Sequence, residues 1–180
     1  MIKRLKSKKG FTLVELIVTF ALIGIIMIIT TGVIASSIRV EYRVENLSNA
    51  QVVSRTILDT VISELAPATK RPLESGSDIA IRSQNGMTEF TDKNGIPVVL
   101  SVTDEGLLNL KYNTGDENVD WSYGKKSYMN NRIESLSFEK ERENRVSVTL
   151  KLKNEKTGFE YTTKKIITFY NLEAINMDFR

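Results

Sequence analysis

Cysteine and histidine are both missing from the 180 residues. Disulfide frameworks, thiolate zinc sites, Cys nucleophiles and His-dependent acid/base triads are therefore excluded, and an extracellular domain built from this chain has to fold by packing alone. Proline is scarce, three in all and none before Pro67, so no sharp proline kink is available in the first third of the chain. The body of the chain also lacks a basic field. The formal charge is +3, but Lys3, Arg4, Lys6, Lys8 and Lys9 supply five of the 25 basic residues, and without them 20 basic residues face 22 acidic ones. The basicity belongs to a short N-terminal stretch and gives no warrant for a nucleic-acid-binding body. With 41% hydrophobic and 26% charged residues, the chain is neither mostly disordered nor collagen-like, and one folded domain plus an extra segment is expected.

What is present is a long apolar run. Over residues 11–29, 15 of 19 are apolar, and residues 16–38 hold 23 consecutive positions without a charge. As a helix those 23 residues extend roughly 34 Å, against a hydrocarbon core of about 30 Å. The five preceding cations stay in the cytoplasm by the positive-inside rule, which places everything after Arg39 outside. A removable secretory signal peptide, cut after Ala35, is one alternative; the run exceeds the usual h-region and carries a carboxylate near its start. An ordinary single-pass anchor is another. It too leaves Glu15 unexplained.

Glu15 is the most informative residue, because an ionised side chain at depth in a bilayer costs about 2.5 to 3.5 kcal/mol or more. A cut between Gly10 and Phe11 would create an α-amine at the top of the same helix, able to pair with the carboxylate within one chain or between neighbours. A Glu that snorkels to the interface, or is simply protonated, is the structural alternative.

The string Lys8-Lys9-Gly10-Phe11-Thr12-Leu13-Val14-Glu15-Leu16-Ile17 resembles the N-terminal signature of type IV prepilins and type II secretion pseudopilins. Gly10, Phe11 and Glu15 match it in register, and the resemblance covers about the first thirty residues. It implies cleavage after Gly10 by a membrane prepilin peptidase, N-methylation of Phe11, and pairing of Glu15 with the amine of an adjacent subunit during assembly. Other pilins or pseudopilins, an assembly platform and an ATPase are the implied partners, in the cytoplasmic membrane and then in an extracellular filament. The chain departs from many major pilins in having Gly24 and Gly32, rather than a proline, along this helix. Eight residues apart, these glycines do not form a GxxxG face.

Helical periodicity continues through Val40, Val44, Leu47, Ile57, Leu58, Val61, Ile62 and Leu65, with charged residues on the other face. Ala66-Pro67 and Arg71-Pro72 end it. Strand and turn signals follow, punctuated by Asn85-Gly86, Asn94-Gly95, Thr114-Gly115, Tyr123-Gly124 and Thr157-Gly158. Leu108, Leu110 and Tyr112 alternate with polar residues, as do Val119, Trp121 and Tyr123, and Val146 to Leu152; Leu136 and Phe138 share a face. The stretch 159–170 is expected to pair antiparallel with 145–153, with Lys165 marking a bulge. The expected fold is α+β, a long N-terminal helix packed on an antiparallel sheet head, similar to the pilin lollipop. The expected divisions are a leader over 1–10, a membrane and assembly helix over 11–38, an amphipathic helix over 39–66 and a strand-rich head over 67–180. The run from Ile133 to Phe138, then Val146 to Leu152, then a closing strand resembles J-type or W-type minor pilins and pseudopilins.

Asp116, Asn118 and Asp120 have the spacing of half an EF-hand loop, but Trp121 and Ser127 stand where Gly and the bidentate Glu are needed, so a solvated turn and no metal site is expected. Trp121, Tyr123, Lys125, Lys126, Tyr128 and Arg132 interleave aromatics with cations, which can suit DNA. The competing reading points Trp121 and Tyr123 into the core, and residues 39–180 carry net charge −1, so DNA is not an expected partner. The run 139–143 reads as a solvated hairpin tip. No cofactor and no enzyme site emerges. The expected function is a structural minor pilin or pseudopilin of a type IV pilus or pilus-like secretion filament. A competence pseudopilin and a non-assembling anchored ectodomain are the alternatives.

Overall fold

The computed structural model describes residues 10–70, 79–115, 117–142, 144–173 and 176–179. A single helix, α1, runs Leu13–Leu65. It stops where the sequence expects: Ala66 N–H still bonds to Ile62 O at 2.9 Å, and Pro67, which has no N–H to continue the ladder, follows in a turn. The second stop at Arg71-Pro72 lies outside the described residues. The chain divides into two compact units, Met1–Glu45 and Asn46–Arg180.

In the first unit every described residue is exposed, from Phe11 at 83% to Val44 at 59%. In the second, α1 buries Ala50, Val53, Ser54, Ile57, Leu58, Val61 and Leu65, spaced by three and four along one stripe. The periodicity also assigned Val40, Val44 and Leu47 to a covered face, yet all three are exposed. Within the second unit coverage of the helix starts at Ala50, a small residue that carries little hydrophobic signal.

The strands fall into two sheets. One has the order β5-β4-β3-β2-β1-β9, formed by β1 (Ile81–Gln84), β2 (Met87–Thr91), β3 (Pro97–Val102), β4 (Leu108–Asn113), β5 (Asn118–Ser122) and β9 (Met177–Phe179); the other is β6-β7-β8, formed by β6 (Asn131–Lys140), β7 (Arg145–Asn154) and β8 (Glu160–Thr168). The arrangement is α+β, as read from the sequence. All pairings are antiparallel except β1 with β9, where the C-terminal strand returns parallel to β1.

Local chemistry sets the turns. Asn85 and Gly86 both take positive φ (52° and 76°), the two-residue geometry that suits the twist of a β1–β2 hairpin. The Asp92 carboxylate accepts from Asn94 N–H (2.8 Å) and Ile96 N–H (2.7 Å), closing the β2–β3 turn. Asn154 Oδ1 accepts from Lys156 and Thr157 N–H, both at 3.0 Å, in the β7–β8 turn. The core is one cluster that gathers Ile57, Leu58 and Val61 of α1 with Phe90, Leu100 and Leu110 of one sheet and Val148, Leu150 and Leu152 of the other. Each such side chain contributes about 1.5–3 kcal/mol on burial.

Two expectations need correction. The bulge sits in β6, where register shifts between Ile133 and Ser135, and not at Lys165. Lys165 keeps register opposite Val148 on the inner face of β8, and its Nζ donates to Asp59 Oδ1 of α1 at 3.0 Å. Its long stem lets the charge leave the apolar face, so no backbone adjustment is needed. Trp121 does not enter the core: β5 is an edge strand exposed at every position, and Trp121 stacks edge-on against Tyr123 at 4.6 Å. The buried ring of that region is Tyr128, whose Oη accepts from Leu108 N–H at 2.7 Å. Tyr123 does pack against the core, and it meets α1 with its Oη 3.0 Å from Thr60 Oγ1. Asp59 and Thr60 lie about 100° apart on the helix. Lys165 and Tyr123 therefore tie α1 from two flanks.

Candidate functional site

The candidate site is the start of α1. Gly10 and Phe11 precede the helix in exposed chain without regular structure, and Thr12 occupies the position before its first residue. Thr12 Oγ1 accepts from Glu15 N–H at 3.3 Å, while Glu15 Oε2 accepts from Thr12 N–H at 2.8 Å and from Thr12 Oγ1 at 2.9 Å. Leu16 N–H reaches Thr12 O at 3.2 Å. This is a reciprocal capping box. It satisfies backbone groups that a helix end otherwise leaves open, and it aims the Glu15 carboxylate back toward the chain segment that holds Phe11. Thr12 carries no role in the sequence reading above, although a Thr-x-x-Glu spacing ahead of an apolar run is the signal for it.

The capping box supplies hydrogen bonds but no positive charge. Among the described residues no Lys or Arg pairs with Glu15. Beyond it, Thr19, Thr30, Thr31 and Ser37 turn their hydroxyls onto carbonyls four residues back, at 2.6 to 3.0 Å, and Ser36 does so three residues back. The few polar atoms in the run are thereby satisfied inside the helix, as a hydrocarbon environment requires. The helix is long and apolar enough to cross a membrane.

The sequence matches the family described as the prokaryotic N-terminal methylation motif over residues 5–31. This segment is the type IV prepilin and pseudopilin signal. The prepilin signal implies processing by a prepilin peptidase and association with pilins, and with the apolar helix it marks a membrane-anchored protein. No curated protein and no solved structure matches the chain.

The other sequence candidates lie in the second unit. Asp116 lies outside the described residues; Asn118 and Asp120 sit in β5, and Asp120 pairs with Lys111 at 3.8 Å rather than facing an acidic neighbour. Among the described residues no cluster of His, Cys, Asp or Glu is arranged to hold a metal ion. The interleaved aromatics and cations do not form one platform: Tyr128 is buried, Tyr123 is turned to α1, and Lys125 pairs with Glu105 at 3.7 Å. At the β6–β7 tip, Lys164 pairs with Glu139 (3.7 Å) and Glu141 (3.5 Å); Glu143 lies outside the described residues.

One pair of carboxylates escaped the sequence reading. Glu134 and Glu160, on β6 and β8, are joined across β7 by Lys151 and Lys153 at 2.7 to 3.7 Å. Hydrogen bonds from Lys151 hold both carboxyls below their ordinary range, and Lys151 is raised in turn. Tyr112 is shifted as well. Burial, with the Glu64 carboxylate nearby, pushes its phenol up to about 12.

Proposed function

We propose that this chain is a structural, non-enzymatic subunit, a minor pilin or pseudopilin of a type IV pilus or pilus-like secretion filament. The peptidase cuts after Gly10 and Phe11 is N-methylated. Residues 11–38 hold the subunit in the cytoplasmic membrane with its head outside, until an assembly platform and its ATPase move it into the filament. The observation that carries this reading is the register of Gly10, Phe11 and Glu15 ahead of a helix whose first three turns and more are exposed on every side. Lipid or neighbouring helices cover that apolar surface. The uncompensated Glu15 carboxylate is met by the new amine of an adjacent subunit.

Two substitutions at Glu15 separate its charge from its cap. Glu15→Gln keeps an acceptor for Thr12 N–H but carries no charge, whereas Glu15→Ala removes both. Both variants are expected to insert and to lose the leader, and both to enter filaments poorly. Assembly of Glu15→Gln at the parental level would assign the residue to the cap alone; normal assembly of Glu15→Ala would remove it from the mechanism altogether. Sheared-filament immunoblots against membrane fractions read the result.

A further inference from the structure

We propose that residues 39–45, immediately beyond the uncharged run, form a self-complementary docking strip for a second, parallel copy of this chain. The proposal rests on the reading above, that the subunit works by packing its N-terminal helix against neighbours. All seven residues are helical and exposed. At about 100° per residue, Arg39 and Arg43 share one flank and Glu41 and Glu45 another; Val40 and Val44 lie in the wider arc between them, about 200°, and Tyr42 in the narrower one. The two valines are 62% and 59% exposed.

This placement opposes the helix's own interest. Charges four residues apart are neighbours on a helix surface, and here both such pairs are of like sign, which destabilises an isolated helix. None of the four charges has an ion pair among the described residues. Segregated flanks become favourable when a second helix presents the opposite flank, with the valines as the apolar seam and the charges at its rim.

Orientation follows from symmetry. Two parallel copies facing each other through Val40 and Val44 bring the arginine flank of each against the glutamate flank of the other, on both sides of the seam. An antiparallel pair places arginine against arginine and glutamate against glutamate. Equal numbers of each charge, on opposite flanks of one helix, make the second copy the matching partner, and anchoring in one membrane already imposes the parallel sense.

The natural absence of cysteine makes the test clean. Val40→Cys is introduced into the full chain, and a second version adds the complete swap Arg39→Glu, Glu41→Arg, Arg43→Glu and Glu45→Arg, which leaves net charge unchanged. Tags of different size allow parent–parent, swap–swap and mixed disulfides to be resolved after oxidation of co-expressing membranes. The expected result is equal homotypic cross-linking for both versions and a mixed product roughly fivefold below its statistical level of twice either homotypic one, since the mixed pair sets like flanks together. A mixed product at its statistical level, twice either homotypic one at equal expression, would assign the charges to lipid headgroups or solvent and overturn the proposal. Absence of any dimer from the parent Val40→Cys chain would also overturn it. Intact mass of the same samples reads leader removal, so a failure of the underlying reading is seen separately.

Discussion

Gly106 shows how much a single residue carries in this fold. It sits at φ 75° between β3 and β4, its carbonyl accepts from Ile133 N–H of β6 at 2.8 Å, and an added Cβ would lie 2.7 Å from Arg132 Cβ and 2.9 Å from Ile133 O. The contact joins one sheet to the other, and both the backbone conformation and the space admit only glycine. Gly106→Ala is expected to cost about 2–3 kcal/mol, a fall of roughly 5–10 °C in melting temperature by circular dichroism of the detergent-solubilised chain. An unchanged melting temperature would mean that the two sheets do not depend on this approach. Glu15 makes the same point at the other end of the chain. Its charge and register were legible in the sequence because an acid inside an apolar run is costly, while its cap partner Thr12 was overlooked although the spacing was in plain view.

At the scale of elements, β8 is the strand held most by charge. Lys165 reaches Asp59 on α1, and Lys151 with Lys153 bridges Glu160 of β8 to Glu134 of β6. An inward-facing charge on an edge strand also discourages pairing with another chain. Lys165 holds the Asp59 carboxyl below its usual range, and Lys151 does so for Glu134 and Glu160. A lowered carboxyl contributes stability above its ordinary value of about 4, lost as pH falls through the lowered one; the raised Lys151 contributes below about 10.4 and is lost as pH rises past that. Amide protection in β8, corrected for intrinsic exchange, is therefore expected to hold from about pH 5 to 10 and to fall at both ends, with a smaller fall in high salt. Protection flat from pH 3 to 7 would show that these pairs do not secure the strand.

The elements also mark the limits of sequence reading. Asn85-Gly86 and the alternation of β7 were legible because turn geometry and burial each leave a local trace. Lys165 broke the alternation for a reason pattern alone does not reveal, since a partner 106 residues away accepts its charge. The bulge at Glu134 was missed because Ile133, Leu136 and Phe138 read equally well as a shorter strand. The division into two sheets, and the parallel return of a three-residue β9 to β1, depend on contacts distant in sequence.

On the scale of the whole molecule, the chain combines a unit, Met1–Glu45, whose described residues bury no core, and a unit with a closed one. A helix with large apolar side chains exposed on every side is unfavourable in water, and its length and hydropathy suit a membrane. The motif over residues 5–31 is the prepilin signal, and the account rests on the proposed cut after Gly10 creating a cation for Glu15. The most direct test is the intact mass of the protein extracted from its native membrane. The account predicts loss of residues 1–10 and gain of one methyl group, with the first residue Phe11. A chain that keeps Met1, or that begins at Ser36 after a signal-peptide cut, would contradict it.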